Sequence, residues 1–222
     1  MNLDVGQFLQ GILLAVGALL PIVNPFGNAA MFVALTADQD DAGRAVMARR
    51  VALNGFILLV ASIFVGDYVL AFFGVSIPVV QVAGGLVVAS LGWRLLRADE
   101  KDARPTPSAD ASASSARAFY PLTLPMTVGP GSISVAITIG ANFPSTVQPF
   151  LADAGSTVLG AALVCLTTFL CFRNAERMTR RLGAGGTAVF MRLSAFILLC
   201  IGVQILYNGI DALFGLSRLL AR

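Results

Sequence analysis

No charged side chain occurs from Val5 through Ala37, and "PIVNPFGNAAMF" (residues 21–32) sits inside that stretch. A bilayer core about 30 Å thick needs about 20 apolar residues as helix, so the run is long enough to span it. Yet two prolines, two asparagines and a glycine are poor material for a helix interior. The chain therefore places a break inside a lipid-buried segment, where an unsatisfied backbone group costs several kcal/mol.

The rest of the chain repeats the apolar theme. Of 222 residues, 57% are hydrophobic and 12% charged, whereas an ordinary soluble domain carries about 25% charged residues. Six stretches meet the length requirement, at roughly 6–36, 51–73, 76–96, 119–142, 155–173 and 189–214. They do not alternate apolar and polar as barrel strands do, so helices are expected. The N-terminus lacks the basic leader of a signal peptide, and its apolar run is expected to be a retained span.

Basic residues fall in the gaps between these runs, which fits membrane orientation and gives no nucleic-acid footprint. Arg44, Arg49 and Arg50 follow the first span; Arg94, Arg97, Lys101, Arg104 and Arg117 follow the third. Arg173, Arg177, Arg180, Arg181 and Arg192 follow the fifth, which leaves only Arg218 and Arg222 for the other side. The positive-inside rule then puts these loops in the cytoplasm and both termini outside. Residues 98–118, rich in Ala, Ser, Pro and mixed charge, read as a flexible cytoplasmic linker. The linker divides the chain into a first three-helix repeat, 1–97, and a second, 119–222.

The halves match in order. "LLPIVNPFGNAAMFVALT" (19–36) is answered by "TLPMTVGPGSISVAITIG" (123–140), each with two prolines, Asn or Gly before the second, and small residues after it. "QVAGGLVVASLGWRLL" (81–96) lies over "RLSAFILLCIGVQILY" (192–207), and Gly74 and Gly183 close the second spans. With three spans per repeat, the second copy enters the membrane from the opposite face. Inverted repeats with broken first helices point to secondary transporters, whose substrate sits where the breaks meet.

Pro25 and Pro130 each suit the first turn of a new helix, with Asn24 and Gly129 before them at the N-cap. Both N-cap residues are expected to be non-helical, because a following proline pushes the residue before it towards extended geometry. Free N–H groups are expected on Phe26, Gly27, Asn28, Gly131 and Ser132, and Gly27, Gly129 and Gly131 would let a ligand approach the main chain. Two such helix N-termini would receive a carboxylate and the preceding carbonyl ends an ammonium, so a small zwitterion fits both. Asn54, Gln81, Gln204 and Asn208 are expected to make interhelical hydrogen bonds, and Glu176 a solvated ion pair among arginines. The glycines Gly84, Gly85 and Gly92 read as close helix packing.

Enzyme chemistry finds no foothold. The chain has no His, no Walker A motif and no pair of intramembrane aspartates, so triads, zinc helices and ATP-driven designs are excluded. Cys165, Cys171 and Cys200 lie in apolar stretches and form no metal pattern, so neither metal nor cofactor is expected.

The two Pro–Gly motifs, with "GVQILYNGI" (202–210) in the last span, resemble the MarC family of bacterial inner-membrane proteins. That family includes SnatA-type transporters of small neutral amino acids and sits in the wider amino-acid-exporter superfamily. The resemblance implies six helices in two inverted repeats, with the first and fourth discontinuous. It places a substrate site at Asn24, Pro25, Gly27 and Asn28 and at Gly129, Pro130, Gly131 and Ser132. Phe26, Thr127-Val128 and Gln81 depart from the family pattern. The function implied is alternating-access transport of glycine or alanine; coupling to H+ or Na+, or exchange, is left open by the sequence, and a homo-oligomer is compatible with it. A structural or regulatory membrane protein, or a channel or exporter for other small solutes, is the alternative.

Overall fold

The computed structural model describes residues 5–97, 117–144 and 146–215. The linker expected over 98–118 lies, apart from Arg117 and Ala118, outside the described residues, as do Arg218 and Arg222. The fold is all-helical, with no strand among the described residues. Its elements are α1 (Val5–Val23), α2 (Pro25–Leu35), α3 (Asp41–Phe72), α4 (Ile77–Arg97), α5 (Ala118–Thr127), α6 (Pro130–Ala141), α7 (Val147–Arg173) and α8 (Ala175–Phe214).

Local chemistry accounts for the boundaries. Asp40 caps α3, its carboxylate accepting from the Gly43 N–H at 2.7 Å. Gly74 (φ 67°) ends the α3 turn in the left-handed region that glycine enters without a Cβ penalty. Gly183 (φ 66°, ψ 175°) bends α8 near its start and separates a short lead-in from the long apolar part.

Five segments among the described residues are long and apolar enough to cross a membrane: Val5–Leu35, Asp41–Phe72, Ile77–Arg97, Pro149–Arg173 and Gly185–Phe214. The fourth expected span, 119–142, consists of two short pieces, α5 and α6, neither long enough to cross alone. Proline explains the difference. Tyr120 and Leu124, the residues before Pro121 and Pro125, are extended (φ −125°, ψ 125° and φ −106°, ψ 127°), as a following proline dictates. Two missing donors leave the ladder to wider bonds: the Val128 N–H reaches the Thr123 carbonyl at 2.8 Å. The Thr123 and Thr127 hydroxyls donate to the carbonyls of Ala118 and Leu122, both at 2.7 Å. A π-type winding results.

Lipid tails are as apolar as leucine, so helices here associate by close packing more than by hydrophobic burial. Small residues provide it. A Cβ on Gly92 would meet the Leu199 Cα at 2.8 Å and the Ala195 carbonyl at 3.0 Å. Gly85 lies on Gly202 and Leu206, and Gly209 on Pro78 and Val82, so positions fall along α8 as they rise along α4. The two helices run antiparallel with backbones in contact. Gly84 instead faces Ser134 on α6. Around this pair α1 packs on α7, α2 on α8, α3 on α6 and α7, and α6 on α4.

Two apolar clusters fill the interior. One gathers Leu19, Val23, Leu59, Ile63, Val128 and Val164, the other Phe32, Val51, Leu122 and Phe172. The Phe32 and Phe172 rings stack at 4.5 Å. Large apolar side chains such as Leu14, Leu53, Tyr68 and Val189 are exposed on the outside, the surface that lipid covers.

The glycine contacts predict a contrast. Gly92→Ala should destabilise by about 1–3 kcal/mol through overpacking, whereas Gly17→Ala, with open space around its Cβ position, should not. Thermal unfolding in detergent checks it.

Candidate functional site at two helix interruptions

The first interruption is a single residue. α1 passes through Pro21 and stops at Val23, and α2 starts at Pro25. Asn24 between them is left-handed (φ 46°, ψ 56°) rather than extended as the following proline suggested. Asparagine tolerates that region, and the conformation is useful here. The Asn24 carbonyl still accepts the Asn28 N–H at 3.0 Å, while its Oδ1 accepts the Gly27 N–H at 3.1 Å. Two of the three donors expected to be free at this break are therefore occupied.

The second interruption behaves differently. Gly129 is extended (φ −101°, ψ −178°) as expected, and α6 starts at Pro130. No side chain caps this end, and the Gly131 and Ser132 N–H groups find no backbone acceptor outside their helix among the described residues. The Ser132 hydroxyl donates back to the Gly129 carbonyl at 3.0 Å.

Asn28 connects the two. Its buried side-chain Nδ2 donates to the Val23 carbonyl at 2.9 Å and to the Met126 carbonyl at 2.8 Å. These are carbonyls at the ends of α1 and α5, which their own helices leave unsatisfied. The amide thus stands where a ligand's ammonium was expected.

Cavities lie at both breaks. Asn24, Gly27 and Asn28 line one of about 20 Å³ with Met191 and Ser194 of α8, room for about one water. Gly129, Pro130, Gly131 and Ser132 line another of about 210 Å³ with Met126, Ser90 and Arg94. That is below the ~300–1,000 Å³ of drug-sized sites and suits a small solute. Pro25 is buried and lines neither cavity.

Glycine is not exposed main chain here. A Cβ on Gly27 would run into the Asn24 side chain, and one on Gly131 into the Val88 methyl. The expected room for a ligand at these two residues is taken by the protein itself.

A family model for MarC family integral membrane proteins matches residues 9–214. The chain belongs to the MarC family. Its relatives include proteins named inner membrane protein MarC from Citrobacter koseri, Salmonella typhimurium and Escherichia coli O139:H28. Each is 32% identical, with 92% of this chain and 96% of the relative covered. No solved structure matches.

Arg94 is the site residue that counting loop charges missed in this MarC-family chain. It belongs to α4, one turn beyond Leu91 and two beyond Val87, so helical spacing carries it onto the face that lines the larger cavity. That spacing was legible; placing Arg94 in a loop hid it. Its guanidinium and the α6 N-terminus carry the same sign, and no acidic side chain lines the cavity. Such a field receives a carboxylate. α6 is also tied to α4 by Gln81, whose Nε2 donates to the Thr138 hydroxyl at 3.3 Å, the interhelical bond expected of it. Gln204 instead donates to Asn208 at 2.8 Å within α8, since residues four apart share a helix face.

At the Arg-rich end, the turn between α2 and α3 is gripped from two sides. Arg117, heading α5, donates to both Asp38 carboxylate oxygens (2.8 and 3.1 Å) and to the Leu35 carbonyl (3.0 Å). Arg44 pairs with Glu176, heading α8, and its Nε donates to the Thr36 carbonyl at 3.2 Å. Both arginines thus cap the C-terminal carbonyls of α2. Glu176 makes the ion pair expected of it, with an arginine of another helix. The Arg117 hydrogen bonds lower the Asp38 pKa from 3.8 to about 2.

Two outcomes follow. Asn28→Leu should lower stability by about 1 kcal/mol by stranding two carbonyls, read in thermal unfolding. Asp38 is ionised more readily folded than unfolded, so the pair's stabilisation is complete above pH 3.8 and lost as pH falls through about 2. The gap in unfolding temperature between the wild type and Arg117→Gln should therefore be widest at neutral pH and narrow near pH 2, leaving only what the Leu35 carbonyl bond contributes.

Proposed function

We propose that this chain is a secondary transporter of small neutral amino acids, such as glycine or alanine, working by alternating access. The observation that carries the reading is the Asn28 amide joining the carbonyl ends of both interrupted segments beside a small cavity rimmed by the α6 N-terminus. In the proposal, the Gly131 and Ser132 N–H groups and Arg94 take the carboxylate. The amino group lies against the Met126 carbonyl and the Ser90 hydroxyl. Asn24, Pro25, Gly27 and Asn28 form the other wall, closed in the present state, and Gly129 and Pro130 shape the open one.

Alternating access needs two halves that rock, and the proposal takes α1–α4 and α5–α8 as inverted repeats with discontinuous leading helices. Three features support it. Contacts come in matched pairs: α1 on α7 as α5 on α3, and α2 on α8 as α6 on α4. The corresponding helices α4 and α8 run antiparallel, and positive-φ glycines stand before α4 (Gly74) and before the long apolar part of α8 (Gly183). In this scheme the chain lies in the bacterial inner membrane with both termini outside. The Arg117–Asp38 and Arg44–Glu176 pairs act as a cytoplasmic latch, and H+ or Na+ coupling is left to flux measurements.

A second reading, export of small carboxylates without an amino group, is favoured by Arg94 and the lack of acid in the larger cavity. Counterflow in proteoliposomes separates the two. The proposal expects saturable glycine or alanine counterflow, unaffected by excess acetate or lactate. Competition by those anions would support the second reading, and no saturable flux of either class would sink both.

Gly131→Ala should abolish flux, but it also strikes Val88. Adding Val88→Ala should restore the unfolding temperature while flux stays reduced at least about tenfold, a loss of about 1.4 kcal/mol. Full recovery of flux would assign Gly131 to packing.

A further inference from the structure

Away from both interruptions, α3 and α7 leave a groove of about 320 Å³ between them. Ala52, Leu53 and Phe56 of α3 and Ala162, Cys165, Leu166 and Phe169 of α7 line it, with Cys165 buried. Its one charged lining residue is Arg49. The helices run in opposite senses, because Arg44 meets Glu176 just past the end of α7 while Gly55 faces Cys165. Arg49 and Phe169 therefore mark the Arg-rich end of the groove, and Phe56 and Ala162 its deep end.

Arg49 is exposed and makes no hydrogen bond or ion pair among the described residues. Arg173, at the end of α7, lies with its guanidinium carbon 5.9 Å from the centre of the Phe169 ring that walls the groove. No acidic side chain pairs with Arg173 among the described residues either. Two arginines with no acidic partner among the described residues, one lining the groove and one against its Phe169, thus stand at the Arg-rich end of an apolar slot. From Arg49 to Phe56 the helix rises about 10 Å, which covers most of one leaflet of a ~30 Å core.

We propose that this groove is a binding site for an anionic phospholipid. One acyl chain lies along Ala52, Phe56 and Ala162, and the phosphodiester sits on Arg49 with Arg173 beside it. Charge selects the occupant. A zwitterionic headgroup brings its own ammonium against the two arginines, whereas a phosphatidylglycerol-type headgroup leaves its phosphate unopposed. The site is separate from the cavity proposed for transport, so it can fail without touching that reading.

The test is lipid retention by the purified full chain. Native mass spectrometry and thermal unfolding are run with phosphatidylglycerol, phosphatidylethanolamine or inorganic phosphate added to the detergent. Preferential retention of phosphatidylglycerol, with a rise in unfolding temperature that phosphate does not reproduce, is expected. Arg49→Gln should weaken that retention about fivefold, the share of one arginine at a charged surface. Ala162→Phe fills the slot but leaves both arginines, and should weaken it as well. Equal retention of the two lipids, equal protection by phosphate, or unchanged binding in Arg49→Gln would overturn the proposal. Full retention in Ala162→Phe would reduce the arginines to a general surface attraction and overturn the groove.

Discussion

Inside a bilayer every backbone N–H and C=O needs a partner within the protein, and the rest of this structure depends on how that demand is met at two prolines. Pro25 and Pro130 each start a helix whose predecessor ends with unclaimed carbonyls. One side chain, the Asn28 amide, answers for both predecessors at once by donating to Val23 and Met126. Among the described residues no buried side-chain nitrogen or oxygen is left without a partner. Irregular backbone is tolerated because one polar residue from the first half binds it to the second.

That bond also makes the halves unequal. Asn24 turns left-handed and closes the α2 N-terminus on itself, while Gly129, with no side chain, leaves the α6 N-terminus open beside a larger cavity. In the transport reading, this is one end of a cycle whose other end reverses the roles. The antiparallel glycine contact of α4 with α8 and the two arginine pairs at the α2–α3 turn are the joints across which such a change runs.

How much of this was legible in the sequence differs by element. Apolar length alone located the helices, because lipid penalises everything else, and proline chemistry located both interruptions and the extended geometry of Gly129. Proline did not decide Asn24, whose left-handed turn is set by the hydrogen bonds that its own side chain and carbonyl make with Gly27 and Asn28. Nor did it foresee α5, where Pro121 and Pro125 act together and threonine hydroxyls repair the ladder. The glycines misled for a related reason: a missing Cβ announces a close approach but not who approaches, and Val88 fills the place at Gly131. Arg94 escaped because charge was counted by loop rather than by helix face. An ion pair was expected of Glu176, but its partner Arg44 and the Arg117–Asp38 pair join residues far apart in the chain, so spacing could not name the partners.

The central claim is that the two interruptions enclose a single small-molecule site. Density maps of the purified protein with and without saturating glycine test it most directly. The account predicts one added feature of amino-acid size between Asn28 and Ser132, with the carboxylate end towards Arg94 and the α6 N-terminus. Identical maps at the breaks, in a protein shown to carry glycine, would contradict it.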